Sequence, residues 1–323
     1  MTMMLRKALI GMLALVLLPQ FAKAEDWPAK PIKFVVPYGP GNGIDIMTRM
    51  IADRFSTRLG KTVFVENVPG AAALLGARVV AGAEPDGYTF LSTANPPLTT
   101  NIYLFKSLPY DPYKAFDVVG MIADRGPFVI SANNALPVGT LEEFIDYAKA
   151  RPGKLSYAVD ASSAYQSAIG KWLCKRAGIE LVEVRYRSPT QAFQDVMSGD
   201  VQVAISSVAA STPFVGRIKR LAITSRGRFP GSEQVPPVEA TFPGFYLEGF
   251  MFLAAPAGVP EPIIKRMNSE LGEILKDPEV LKSIALFGYA TSGVGTPESI
   301  REQIRSDREL WAQLSKELDI APQ

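Results

Sequence analysis

The chain contains no histidine among its 323 residues. A Ser-His-Asp or Cys-His catalytic arrangement therefore has no base to build on, and zinc sites, which use histidine or several cysteines, lack their donors. A single cysteine, Cys174, excludes an intrachain disulfide. It lies in Ala168-Ile169-Gly170-Lys171-Trp172-Leu173-Cys174, a helical pattern in which a small buried residue is expected rather than a reactive thiol. Charge of one sign is also missing. The 34 basic residues fall to 31 without Arg6, Lys7 and Lys23, against 32 acidic ones. No basic field exists to attract nucleic acid, and no aromatic and basic residues interleave as a single-strand groove needs. Carboxylate-only and lysine-based chemistry stay open on composition alone, but no motif points to them, and no enzyme is expected.

Long apolar runs are absent as well. The run at 8–18 is flanked by Arg6 and Lys7 on one side and by Pro19 and Gln20 on the other. A helix of that length covers about half of a hydrocarbon core of about 30 Å, so it does not read as an anchor. With Ala22-Lys23-Ala24 after it, the order is that of a secretory signal peptide over 1–24, cleaved before Glu25. No cysteine follows at the cleavage position, which argues against a lipoprotein. The expected location is the periplasm.

What is present is an alternation of short β-branched runs and amphipathic stretches. Ile32-Lys33-Phe34-Val35-Val36 reads as a buried strand. The turn at 37–43 leads into a helix over 44–59, with Ile44, Met47, Ile51 and Phe55 at helical spacing and Gly60 as its stop. A second strand covers 62–66. The same plan recurs as a strand at 154–159, a small polar loop at 160–164, a helix over 165–177 stopped by Gly178, and a strand at 181–186. Further helices are expected at 71–83, 141–150, 190–197, 261–275, 278–286 and 297–318. Further strands are expected at 88–93, 128–131, 201–205 and 221–224, and the apolar run at 250–254 reads as a crossing between lobes. The fold class is α/β with two lobes, each a mainly parallel sheet flanked by helices, and a ligand cleft between them. The expected division is 25–125 plus 252–323 for the first lobe and 126–251 for the second.

Ligands of open α/β sheets sit at the carboxyl ends of strands, beside helix N-termini. Two loops fit that rule. The first has three glycines in five residues, Gly39, Gly41 and Gly43, more than a turn needs. Gly41 and Gly43 are expected to let backbone N–H groups approach an anion. Asp45 falls in the first turn of the following helix, where a carboxylate can meet free N–H groups. The second loop offers the hydroxyls of Ser162 and Ser163. Each loop also admits the plainer reading of a tight connection. Tyr38 and Tyr165 flank the two loops, as walls for a ligand or as ordinary packing. A dinucleotide fingerprint does not form: Gly39-Pro40-Gly41 follows a strand and Glu66 ends the next, but Ile44 stands at the third glycine position. No cofactor is expected.

Several separated motifs carry a family resemblance. Trp27-Pro28-Ala29-Lys30-Pro31-Ile32, Gly41-Asn42-Gly43-Ile44-Asp45, Val65-Glu66-Asn67-Val68-Pro69-Gly70, Pro85-Asp86-Gly87-Tyr88, Leu108-Pro109-Tyr110-Asp111-Pro112, Arg151-Pro152-Gly153-Lys154 and Ala255-Pro256-Ala257-Gly258-Val259-Pro260 occur in this order. The chain resembles the Bug-type solute-binding proteins, the extracytoplasmic receptors of tripartite tricarboxylate transporters. The resemblance implies two lobes joined by crossing strands and closing over a small organic carboxylate, which is a dicarboxylate, a tricarboxylate or an aromatic one. It implies that the loops matching 38–45 and 160–166, Gln166 included, grip carboxylates, and that Ser92, Thr93, Ala94, Ser206 and Ser207 face the cleft. It also implies a monomer whose partners are membrane transporter subunits. Tyr186-Arg187 resembles a Tyr-Lys pair at a strand end near the cleft, where Arg187 would pair a carboxylate or remain a solvated rim charge. The chain departs from the pattern at Asn42, where glycine is usual. It departs again at Asp160-Ala161-Ser162-Ser163, which replaces a glycine-richer loop, and at Ile205-Ser206, which replaces an aromatic-aspartate pair. The same fold would serve a sensor that presents liganded lobes to a signalling kinase; a carboxylate-based hydrolase is the rival from another class.

Overall fold

The computed structural model describes residues 27–161 and 163–322. The expected signal peptide and Ser162 lie outside them. Strand β1 (Ile32–Val36) is buried almost throughout and pairs in parallel with β2 (Val63–Asn67) and with β3 (Thr89–Ala94). Helix α1 (Gly43–Leu59) makes the first crossover. Asn42 caps it, its side chain accepting from the Ile44 N–H, and Gly60 ends it at φ 65°. Its apolar face meets the sheet through Phe55, which stands edge-on to Phe34 with ring centroids 5.5 Å apart. Burying an aromatic side chain of this kind stabilises the fold by about 1.5–3 kcal/mol. Helices α2 (Leu74–Ala81) and α3 (Asn101–Leu104) complete this part.

The helix expected over 71–83 begins three residues later than the pattern suggested. Ala71, Ala72 and Ala73 all have positive φ, a conformation alanine adopts at a cost, and the Ala72 carbonyl accepts a hydrogen bond of 2.8 Å from the Asn101 side chain. The strand expected at 128–131 is the end of an 18-residue strand, β4 (Phe116–Asn133).

The second half repeats the plan: α4 (Leu141–Lys149), β5 (Leu155–Asp160), α5 (Ala164–Ala177), β6 (Leu181–Tyr186), α6 (Pro189–Ser198), β7 (Val203–Ser207), α7 (Val208–Ser211) and β8 (Ile218–Ile223). Strand β5 pairs in parallel with both β6 and β7. Strand β9 (Glu248–Pro256) then returns between β3 and β4, antiparallel to both. The sheet order is β2-β1-β3-β9-β4-β7-β5-β6, with β8 also on β4. Each half thus has its parallel pairs from βαβ units, while the long β4 and β9 tie the halves together with antiparallel pairs. Two large cores result, one around Phe34, Met47, Phe55 and Phe90, the other around Phe144, Ile169, Trp172 and Phe245.

Helices α8 (Glu261–Ile274), α9 (Pro278–Leu286) and α10 (Pro297–Glu317) close the chain. The last spans both halves. Ile300 and Ile304 pack with Val35, Leu91 and Phe252, whereas Trp311 and Leu314 join the core around Trp172. Among the described residues no helix is long and apolar enough to cross a membrane. Cys174 is half-buried and burial pushes its thiol up, away from a reactive thiolate.

Candidate functional site: a cavity between the two halves

The first glycine loop is organised from within. Asp45 is buried and accepts from the Gly41 N–H at 2.8 Å and from the Asn67 side chain at 2.8 Å, while Arg49 pairs with it at 3.0 Å. Burial opposes ionisation of this carboxyl, but the Gly41 N–H, Arg49 and Asn67 together hold it below the ordinary range. Asp45 therefore locks the loop from within. Gly41 has φ 81°, and a Cβ there would touch nothing within 4 Å, so its glycine serves the backbone turn. Gly43 differs: its φ is unremarkable, and a Cβ would lie 2.9 Å from Phe287 Cδ1. It is small for the sake of packing against Phe287. Asn42 needs no glycine-like conformation, because it occupies extended backbone as the N-cap.

The second loop is built in the same way. Ser163 caps α5 by accepting from the Gln166 N–H at 3.3 Å, and Gln166 accepts at its own Oε1 from the Asp160 N–H at 2.6 Å. Behind the first loop Ser92 and Thr48 share a hydroxyl–hydroxyl bond of 2.8 Å, both fully buried. The Thr93 hydroxyl, also buried, donates to the Ala94 carbonyl at 2.9 Å.

Between the halves lies a cavity of about 250 Å³. Ile44, at the start of α1, and Ala164 and Tyr165, at the start of α5, line it from opposite sides. The positive ends of two long helices thus converge on one space. The caps consume the Ile44 and Gln166 N–H groups, leaving other first-turn N–H groups for an incoming anion. Tyr38, Phe128, Tyr165 and Tyr289 are the aromatic residues of the wall. Phe128 and Tyr165 stack with centroids 5.8 Å apart.

Of the residues expected at the site, Tyr38, Ala94, Ser163 and Tyr165 line this cavity. Gly39, Gly41, Asn42, Gly43, Asp45, Ser92, Thr93 and Gln166 shape the two loops or lie directly behind them. Three residues do not line it. Ser206 lines a small pocket of about 30 Å³ on the second half, together with Asp160 and Gln166 of the second loop. Ser207 caps α7, its side chain accepting from the Ala210 N–H. Arg187 is exposed at the end of β6.

A buried polar cluster backs the cavity. The Asn95 amide donates to the Tyr165 oxygen and to Asp307 at 2.8 Å, the Tyr165 hydroxyl lies 3.2 Å from Asp307, and Thr100 donates to Tyr165 at 2.9 Å. Burial pushes the Asp307 carboxyl up to about 6, against the lowering effect of these donors. On its far side Asp307 lines a second, larger cavity of about 590 Å³ between the crossing strands and α10. There Arg125 pairs with Glu248 at 3.3 Å and donates to the Arg226 carbonyl at 3.0 Å. Asp124, Arg226 and Glu302 also line it, as does Ser299 in the first turn of α10, whereas the smaller interlobe cavity is lined from the starts of two helices and by no charged side chain among the described residues.

Sequence comparison agrees with this geometry. A model of the "Tripartite tricarboxylate transporter family receptor" matches residues 47–313. The chain belongs to this receptor family. Among its relatives, the protein BugT of Bordetella pertussis is 30% identical over 298 residues, covering 91% of each chain. Among solved structures, R. palustris Rpa4515 with adipate superposes with a TM-score of 0.79 at 28% identity, over 92% of this chain and 100% of that one. MatC from Rhodopseudomonas palustris with bound malate superposes at 0.72 and 25% identity, over 89% and 99%. Family and neighbours are solute-binding receptors, so the receptor fold places this chain with binding proteins and not with enzymes. The expectation of a two-lobed α/β binding protein, which the family resemblance implied, is met.

Several lining residues of the cavity were not among those expected from the sequence. Asn95, Pro96 and Thr100 follow β3 directly, and extending the strand-end rule by a few residues past Ala94 would have found them. Tyr289 comes from the connection after α9, and Gly249 from β9. Only the packing of chain segments distant in sequence brings them in.

Proposed function

We propose that this receptor captures a small organic carboxylate in the interlobe cavity and delivers it to a tripartite tricarboxylate transporter in the periplasm, after export directed by residues 1–24. The observation that carries the reading is the convergence of the α1 and α5 N-termini on one open cleft from opposite halves. A carboxylate there accepts charge-assisted hydrogen bonds from first-turn N–H groups, each contributing about 1.5–3 kcal/mol. Relatives of this fold hold adipate and malate, which supports the same chemistry here. The small cavity suits a metabolite rather than a polymer.

Melting temperature tests this directly. A carboxylate held at 100 times its Kd stabilises the folded state by about 2.7 kcal/mol. Benzoate, adipate and malate should be screened beside their neutral amides. At least one carboxylate is expected to raise the melting temperature by several degrees while its amide does not. Equal shifts for acid and amide would contradict anion capture.

A further inference from the structure

Most polar side chains on the wall of the interlobe cavity have work within the fold. The Tyr165 hydroxyl is shared among Asn95, Thr100 and Asp307. Asn101 donates to the Ala72 carbonyl, and the Ser163 oxygen caps α5. The Tyr38 hydroxyl lies beside Thr93 and Ala94. Tyr289 differs: it lines the cavity, and its hydroxyl makes no hydrogen bond to any described residue.

The position of Tyr289 is nonetheless fixed from both sides. Its N–H donates to the Ile284 carbonyl of α9 at 3.0 Å, and the next residue, Ala290, donates to the Arg125 carbonyl of β4 at 2.8 Å. Its ring lies over Gly126 of β4, where a Cβ would collide with it, and its hydroxyl is 3.8 Å from where a Cβ on Gly249 of β9 would stand. Those two glycines face each other in register across the crossing strands. They leave a slot that admits the ring and brings the hydroxyl to the cavity wall beside Gly249. Burial pushes the phenol up to about 12, so it stays protonated and can donate. A phenylalanine would fill the slot equally well, so packing does not account for the hydroxyl.

We infer that Tyr289 is a specificity-determining residue, whose hydroxyl donates to a second polar oxygen of the ligand, apart from the carboxylate that the helix N–H groups hold. This rests on the proposal that the cavity takes a carboxylate. Without ligand the hydroxyl meets water in the open cleft. A hydroxyl, keto or carboxylate oxygen of the ligand replaces that water bond, whereas an alkyl group in the same place leaves the donor unpaired and lowers affinity.

Calorimetric titration with two pairs of acids tests the assignment: adipate beside hexanoate, and malate beside butyrate. The parent should bind at least one acid that carries the second polar group about tenfold more tightly than its plain partner. Tyr289→Phe should cut that ratio about fivefold, through weaker binding of the more polar acid. Its ligand-free melting temperature should match the parent's, because no bond within the fold is lost. Ratios unchanged by Tyr289→Phe in both pairs would overturn the inference while leaving carboxylate capture intact. A ligand-free melting temperature lowered by several degrees would overturn it too, since the hydroxyl would then serve the fold. If none of the four acids binds the parent, carboxylate capture falls and the inference with it.

Discussion

Gly41 and Gly43 stand two residues apart in one loop and are small for different reasons. Gly41 needs its φ of 81° and has open space where a Cβ would go, while Gly43 has Phe287 against it. Gly41→Ala is therefore expected to strain the backbone by about 1 kcal/mol and shift the N–H it donates to Asp45. Calorimetry should show a loss of carboxylate affinity of about tenfold, with the ligand-free melting temperature lowered by only a few degrees. Gly43→Val should lower that melting temperature by more, since overpacking costs about 1–3 kcal/mol. Combined with Phe287→Ala it should cost less than the two single changes added together. The sequence revealed that the loop was special, through its glycine density, but not which glycine served the turn, because the Phe287 contact spans most of the chain. Asp307 was silent in the sequence for the same reason: its partners Asn95 and Tyr165 lie 212 and 142 residues away. Its carboxyl is raised to about 6 by burial, against about 3.9 unfolded. The folded chain then holds a proton that the unfolded chain releases, so this group makes stability fall as pH rises from about 4 to about 6, with no further change above. The swing is about 3 kcal/mol. Asp45, held low, acts in the opposite sense and is lost in acid. Denaturant unfolding of Asp307→Asn across pH 4–7.5 should lack the Asp307 part of the slope. A difference from the parent that does not vary with pH would show that Asp307 titrates normally.

At the scale of elements, the two βαβ units were legible because each joins a short β-branched run to a 3.6-period helix with a glycine stop. Strand β4 was read only in part. Its register against β9 shifts between Val118 and Gly120, between Met121 and Ala123 and between Ala123 and Gly126, and such bulges break the alternation by which a strand is recognised. The left-handed turn at Ala71–Ala73 was missed because alanines at 71–73 look like the start of a helix. The crossing strands do more than join the halves. A Cβ on Gly126 of β4 would collide with the Tyr289 ring and lie 3.0 Å from the Gly249 carbonyl of β9. Gly126→Ala should therefore displace Tyr289, a wall of the cavity, and weaken benzoate binding at least fivefold in calorimetry. Unchanged affinity would mean that Tyr289 is not part of the binding wall.

At the scale of the whole molecule, two halves tied by β4 and β9 meet at a cavity on which two helix N-termini converge. Closure follows if a single ligand contacts both helix N-termini, since the ligand then favours the state in which they are near. The position of the carboxylate is the point on which everything else depends. A crystal structure with 4-bromobenzoate, read by the anomalous signal of bromine, measures it. The bromine should lie against Tyr38, Phe128, Tyr289 or Leu104 in the interlobe cavity, with the carboxylate within about 3 Å of first-turn N–H groups of α1 or α5. A carboxylate bound instead to Arg125 or Arg226 in the larger cavity beside α10, or to Arg187 at the rim, would contradict the account.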